Sequence, residues 1–112
     1  MEDNEDARES LRTVLEVDGH EVEAVADGHA ATEAVGRLEP DIVLIDIGLP
    51  DMDGYELARR LRAMPGATRR RLVAVTGYGR PEDRQRALQA GFDAYLIKPV
   101  EAERLASLVA RL

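Results

Sequence analysis

The sequence predicts an α/β domain: a parallel sheet wound with helices on both faces. Three observations predict it. Short apolar runs rich in Val and Ile recur at 42–45, 72–75 and 95–97, with the length and composition of strands buried on both faces. Amphipathic stretches at helical spacing alternate with them, as in successive strand–helix–strand units. Each run also ends in a different polar group: Asp46, Thr76 and Lys98, the last followed by Pro99. In an open α/β sheet ligands bind just beyond the carboxyl ends of the strands. A carboxylate, a hydroxyl and an ammonium are therefore expected at one rim, a set suited to a phosphoryl group.

The elements follow in order. A first helix is expected from about Glu5 to Val17, with Ala7, Leu11, Val14 and Leu15 on one face and Gly19 as its stop signal. Glu21 to Ala26 alternates polar and apolar and reads as a strand near a sheet edge. Asp27 is placed to cap a second helix, whose stripe is Ala31, Ala34, Val35 and Leu38 and which Pro40 ends. The strand to Asp46 comes next, followed by the turn-rich segment Gly48-Leu49-Pro50-Asp51-Met52-Asp53-Gly54. The third helix covers about Tyr55 to Met64, with Leu57, Ala58 and Leu61 inward and Pro65-Gly66 as its stop. The Arg69–Arg71 run, read as a solvated loop, precedes the strand to Thr76. Gly77-Tyr78-Gly79 forms a loop, Pro81 suits the first turn of the fourth helix, and Gly91 caps its end. After the strand to Lys98, a fifth helix from about Glu101 to Leu112 carries Leu105, Leu108, Val109 and Leu112 on one face.

Composition bounds the function. The 112 residues are read as one domain, 1–112, and they carry 22 acidic and 15 basic residues for a net charge of −7. Such an acidic domain is a poor candidate for holding nucleic acid directly. No cysteine is present, which excludes disulfides, thiolate chemistry and zinc–thiolate sites. No stretch has the apolar length of a membrane span, and the acidic first residues exclude a secretory signal, so a cytoplasmic location is expected. His20 and His29 flank turns without a second ligand at metal spacing and are expected to be exposed. Gly77-Tyr78-Gly79 lacks the third glycine of a dinucleotide fingerprint. Of the 15 basic residues, 14 are arginines and one is a lysine, Lys98. A compact ammonium at a strand end suggests a point contact with an anion.

Asp46 ends a very apolar strand, and a buried charge there needs a partner or a metal. Glu2 and Asp3 precede the first helix; if they reach the same rim, three carboxylates call for a divalent cation. Magnesium suits them, since it takes few protein oxygens, keeps several waters and bridges phosphate oxygens. Thr76 and Lys98 could each meet a phosphoryl oxygen, leaving Asp46 as the nucleophile that becomes an aspartyl phosphate.

Taken together, Glu2-Asp3, Asp46 within LIDIGLPDMDGYEL, Thr76-Gly77 and Tyr95-Leu96-Ile97-Lys98-Pro99 resemble the receiver domain of two-component response regulators. The resemblance covers nearly the whole chain, and the loop after Asp46 looks most like receivers attached to hybrid sensor kinases. It implies a flavodoxin-like sheet of order 2-1-3-4-5. Asp46 would accept phosphate from a histidine of a sensor kinase or phosphotransfer protein. Asp3, Asp46 and the backbone carbonyl of Gly48 would bind Mg2+, with Glu2 acting through water. Thr76 and Lys98 would contact the phosphoryl group, and Tyr95 would be the switch aromatic that follows Thr76. The Lys98-Pro99 peptide would be cis. The surface formed by the fourth helix, fifth strand and fifth helix would report the state to an output domain or partner protein, elsewhere or in trans.

One departure stands out. The family's hydrophobic first strand ends just before the acidic pair, yet here only Met1 precedes Glu2. Four such apolar side chains would contribute on the order of 6–12 kcal/mol on burial, against about 5–15 kcal/mol for a whole domain. Three arrangements are open: a truncated chain, a sheet closed directly between its second and third strands, or pairing supplied by another molecule, as in a homodimer. The expectation is a destabilised or oligomeric form with Glu2 and Asp3 poorly placed.

Two other functions share parts of this pattern. A haloacid dehalogenase-type phosphatase also combines Asp, Thr, Lys and magnesium, but places a second aspartate two residues after the nucleophile, where this chain has Gly48. A pure interaction module would never be phosphorylated. Gly48 and Tyr78 are poorly suited to positioning water, so a long-lived phosphoryl group is expected.

Overall fold

Among the described residues, five helices and three strands follow in the order α1 (Glu5–Val17), α2 (Gly28–Leu38), β1 (Ile42–Asp46), α3 (Gly54–Ala63), β2 (Arg71–Thr76), α4 (Pro81–Ala90), β3 (Ala94–Ile97) and α5 (Ala102–Arg111), with helix and strand alternating from α2 onward. The computed structural model describes residues 1, 5–17, 19–47, 54–66, 70–76, 81–98 and 100–111, of which 81–83 by backbone only. The expectations placed on Glu2, Asp3, Gly48, Arg69, Gly77, Tyr78, Gly79, Pro99 and Leu112 therefore lie outside the described residues.

Local signals set the helix ends. Asp27 caps α2, its side chain accepting the amide of Ala30 at 2.8 Å, which satisfies one of the donors a helix start leaves open. Gly19 and Gly91 stop α1 and α4 with positive φ. Behind them, His20 N–H reaches the Leu15 carbonyl and Phe92 N–H the Ala87 carbonyl, both at 3.1 Å, the six-to-one bonds of a glycine-terminated helix. α2 ends differently: Glu39 itself adopts the left-handed conformation, φ 49° and ψ 57°, with its N–H on the Val35 carbonyl. The sequence reading assigned that stop to Pro40 alone.

The sheet is parallel, in the order β1-β2-β3. These are the third, fourth and fifth strands of the expected arrangement, so the described sheet is a truncated one. β2 lies in the middle, and Leu72 to Thr76 are all buried because helices cover both faces. Alternation along the strands divides the core. Val43, Ile45, Leu72 and Ala74 face α2, α3 and α4, packing with Val35, Leu57, Leu61 and Phe92. Val73, Val75 and Leu96 face α5, packing with Leu105 and Val109 and with Leu11, Val14 and Leu15 of α1. The predicted inward residues of α3, Leu57, Ala58 and Leu61, are fully buried.

Three expectations need correction. The segment 21–26 is not a strand: among the described residues no ladder joins it to β1, because a strand's place lies open between the two. The second and third predicted strands therefore do not close directly on each other. Leu38, placed on the buried stripe of α2, is exposed, since it lines that same open space. Arg70, read as part of a solvated loop, is buried; its guanidinium donates to the carbonyls of Leu61 at 2.7 Å and Pro65 at 3.1 Å. These bonds cap the carbonyl end of α3, where the Leu61 carbonyl also accepts the Met64 amide at 3.3 Å. Arg71, its neighbour, is exposed and starts β2.

Candidate functional site

Parallel strands in register bring their carboxyl ends to one rim. Asp46 is paired with Val75 and Thr76 with Ile97, and Lys98 follows β3 directly, its amide held by the Thr76 carbonyl at 2.7 Å. Alternation puts the side chains of Asp46 and Lys98 on the α5 side and that of Thr76 on the α3 side. Adjacent strands stand about 4.8 Å apart, so a side chain joining β1 to β3 must cross β2, and the lysine stem is long enough to do so. Lys98 Nζ lies 2.9 Å from Oδ2 of Asp46.

The environment of this pair is asymmetric. The Asp46 side chain is 10% exposed and that of Lys98 38%. The carboxylate therefore sits at the floor of the rim, while the ammonium reaches it from the solvent side. A nearly buried carboxylate is tolerable because a cation pairs with it. Its hard oxygen donors, together with a strand-end setting, also fit a magnesium ion, which uses one or two carboxylates and retains water.

Thr76 is 3% exposed and occupies the end of the middle strand, beside both charged groups. Tyr95 is half-buried on β3 opposite Ala74, packed on the α3-side core. Thr76 lies two residues beyond Ala74 and so shares a sheet face with Tyr95. The structure thus gathers Asp46, Thr76 and Lys98 at one rim, with Tyr95 behind Thr76; Glu2, Asp3, Gly48 and Pro99 stand outside the described residues.

Two contributors to the site were not found from sequence. Gly54 was read as a turn glycine. It begins α3 against the strand end: a Cβ there would meet Ile47 Cα at 3.0 Å, the Asp46 carbonyl at 3.3 Å and Ile45 Cγ2 at 3.4 Å. Only glycine permits that approach of helix to strand. Met1 was read only as the residue before the acidic pair. Its backbone lies alongside β1, the amino group donating to the Leu44 carbonyl and its carbonyl accepting the Asp46 amide at 2.9 Å. No side-chain pattern announces a role made by main-chain atoms alone.

Comparisons with known proteins give the family and the fold. The response regulator receiver domain model matches residues 1–110, and the chain belongs to that family. It is a signalling module of two-component systems rather than a conventional enzyme, which removes the phosphatase reading. The chain is 38% identical over 109 residues to an uncharacterized 14.6 kDa protein of Leptolyngbya boryana, covering 97% of this chain and 83% of that one. It is 32% identical over 111 residues to the signal transduction histidine-protein kinase BarA of Escherichia coli, covering 99% of this chain but 12% of the kinase. Among solved structures, chemotaxis protein CheY4 of Vibrio cholerae superposes with a TM-score of 0.94 at 26% identity, covering 98% of this chain and 92% of that one. The receiver domain of sensor histidine kinase PA1611 of Pseudomonas aeruginosa, solved with a magnesium ion coordinated in its active-site cleft, superposes with a TM-score of 0.90 at 34% identity, covering 99% of this chain and 91% of that one. None of the described helices is long and apolar enough to cross a membrane.

Proposed function

We propose that Asp46 is a phosphoacceptor. One of its carboxylate oxygens attacks the phosphorus of a phosphohistidine on a sensor kinase or phosphotransfer protein, the P–N bond breaks, and the phosphoryl group remains as an aspartyl phosphate. The observation that carries this reading is the 2.9 Å contact of Lys98 Nζ with Asp46 Oδ2 at the strand-end rim, with Thr76 on the strand between. Phosphoryl transfer needs positioned charge more than covalent help. In this reading Lys98 neutralises one phosphoryl oxygen and the Thr76 hydroxyl donates to another.

Asp46, with Asp3 and the Gly48 carbonyl directly and Glu2 through water, would hold Mg2+. The ion, when bound, supplies positive charge against the phosphoryl oxygens. Support comes from the hard oxygen donors of Asp46 and from the magnesium in the cleft of the PA1611 receiver domain. The setting is cytoplasmic. The partners are a histidine-containing kinase or carrier and an output protein that reads the face formed by α4, β3 and α5. Leu88 of α4 and Ile97 of β3 are exposed on these elements.

The test is incubation with a small phosphodonor and magnesium, followed by intact-mass measurement. One added phosphoryl group, absent in Asp46→Asn, is expected. No uptake by the folded protein would instead favour an interaction module that is never phosphorylated.

A further inference from the structure

α4 is thinly anchored to the rest of the domain. Among its described side chains only Ala87 and Ala90 are buried, and Leu88 is 56% exposed. Alanine methyls remove little apolar area from water, so the helix depends on a few specific contacts. Its carboxyl end is tied down. The amides of Gly91 and Phe92 return to the carbonyls of Leu88 and Ala87 at 3.1 Å. Arg62 of α3 donates to the Gly91 carbonyl at 2.7 and 2.9 Å, and the Phe92 side chain is buried in the core.

The body of α4 is held in another way. The Arg86 guanidinium lies over the ring of Tyr55 in α3, its Cζ 4.3 Å from the ring centroid, well inside the reach of a cation–π contact. Arg86 is an exposed residue and Tyr55 is 6% exposed, so a surface cation closes over a buried ring. Phe92 meets the same ring edge-on, with centroids 6.4 Å apart and planes at 81°, a favourable arrangement for two aromatic rings. Phe92 thus fixes the ring from the tied end, and Arg86 covers it from the middle of the helix.

Tyr55 also connects to the rim. It follows Gly54, where a Cβ would meet Ile47 Cα at 3.0 Å and the Asp46 carbonyl at 3.3 Å. The first turn of α3 therefore presses on the strand of Asp46 with one residue and carries the Arg86 contact on the next. A shift at that strand end moves the ring beneath Arg86.

We propose that the Arg86–Tyr55 contact is a latch. Closed, it holds α4 on α3; released, it lets α4 swing about the end that Arg62 holds, and the strand end at Asp46 sets which state prevails. The latch rests on the contact alone, whereas the signal that releases it rests on the reading of Asp46 as a phosphoacceptor. Such coupling runs both ways, so a partner that binds only the released α4 also favours the phosphorylated rim.

The test follows amide hydrogen exchange along α4 in the 112-residue protein. Arg86→Gln removes the cation from an exposed position and leaves the core intact. Exchange at Gln85, Ala87 and Leu88 is expected to rise about two- to fivefold, the factor that an exposed cation–π contact is worth. Exchange at Phe92 is expected to stay unchanged, because Arg62 holds that end. Tyr55→Phe keeps the ring and is expected to keep the protection. Equal exchange in the wild type and Arg86→Gln, or a rise that extends equally to Phe92, would overturn the latch. A second arm adds a small phosphodonor and magnesium, with intact mass counting the phosphoryl groups. In protein that has gained one, exchange at Ala87 and Leu88 is expected to rise towards the Arg86→Gln level, and in Arg86→Gln itself to change less than about twofold. One phosphoryl group with no change in α4 would overturn the coupling to Asp46. No phosphoryl group would remove the release signal together with the phosphoacceptor reading, and the first arm alone then decides the latch.

Discussion

The ammonium of Lys98 crosses the end of β2 to meet the carboxylate of Asp46, with Nζ and Oδ2 2.9 Å apart. The pair joins the two outer described strands over the middle one, so its geometry depends on the whole sheet. Lys98→Ala is expected to slow phosphoryl uptake by about 10²–10³-fold, the usual effect of deleting a group that stabilises developing charge. Removing the ammonium leaves the Asp46 carboxylate, only 10% exposed, without this partner, so the melting temperature is expected to fall as well. Phosphodonor kinetics and a thermal scan on the same variant separate the two effects; a large loss of stability with normal uptake would assign Lys98 a structural role instead.

Thr76 offers a hydroxyl within a buried strand end. Thr76→Val removes that donor at nearly constant volume, and Thr76→Ser retains it. Phosphorylation of Asp46 is expected to persist in both. Phosphorylation-dependent change at Tyr95, read from its fluorescence or ring resonances, should survive in Thr76→Ser and disappear in Thr76→Val. Identical spectra in the two variants would uncouple Tyr95 from Thr76.

Gly54 lies where a side chain has no room. A Cβ 3.0 Å from Ile47 Cα meets backbone that cannot rotate away. Gly54→Ala is expected to cost about 1–3 kcal/mol, as overpacking does, measurable by urea denaturation. The same displacement of β1 should reduce phosphoryl uptake, because Asp46 lies one residue before Ile47.

Arg62 connects three segments. Its guanidinium donates to the Gly91 carbonyl at 2.7 and 2.9 Å, to the Arg70 carbonyl at 2.8 Å and to Asp93 Oδ2 at 2.5 Å. Asp93 in turn accepts the Leu72 amide at 2.9 Å. A double-mutant cycle on Arg62→Ala and Asp93→Ala is expected to give a coupling above about 0.5 kcal/mol, as residues sharing one network do. Arg62→Lys should recover little, since an ammonium lacks the planar fork that spans these acceptors.

Glu39 carries a left-handed backbone without being glycine. Such a conformation costs an ordinary residue about 1–2 kcal/mol, partly offset by the flexibility a glycine would add to the unfolded chain. Glu39→Gly is therefore expected to raise stability by about 0.5–1 kcal/mol. A lower urea midpoint for the variant would show that Glu39 contributes something its backbone angle does not reveal.

Much of this was legible in the sequence because it depends on side-chain type at fixed spacing. Asp46, Thr76 and Lys98 were readable as strand ends because each closes an apolar run, and Gly19, Asp27 and Gly91 because caps draw on few residue types. The misreadings share another cause. The 21–26 segment has the alternation of a strand, but a strand also needs a neighbour, and that neighbour is not encoded locally. Arg70 looks like a surface charge until the end of α3 presents it with carbonyls. Gly54 and Met1 act through close approach and main-chain bonds, for which residue identity offers a weak signal or none.

Lys98 is the sole lysine of the chain, and with over a third of its side chain exposed it is within reach of reagents. Any acyl group added to a side-chain amine of this protein must therefore land on the ammonium that faces Asp46, erasing its charge at the same stroke. A single acetylation event at Lys98 would act as an off-switch for the rim.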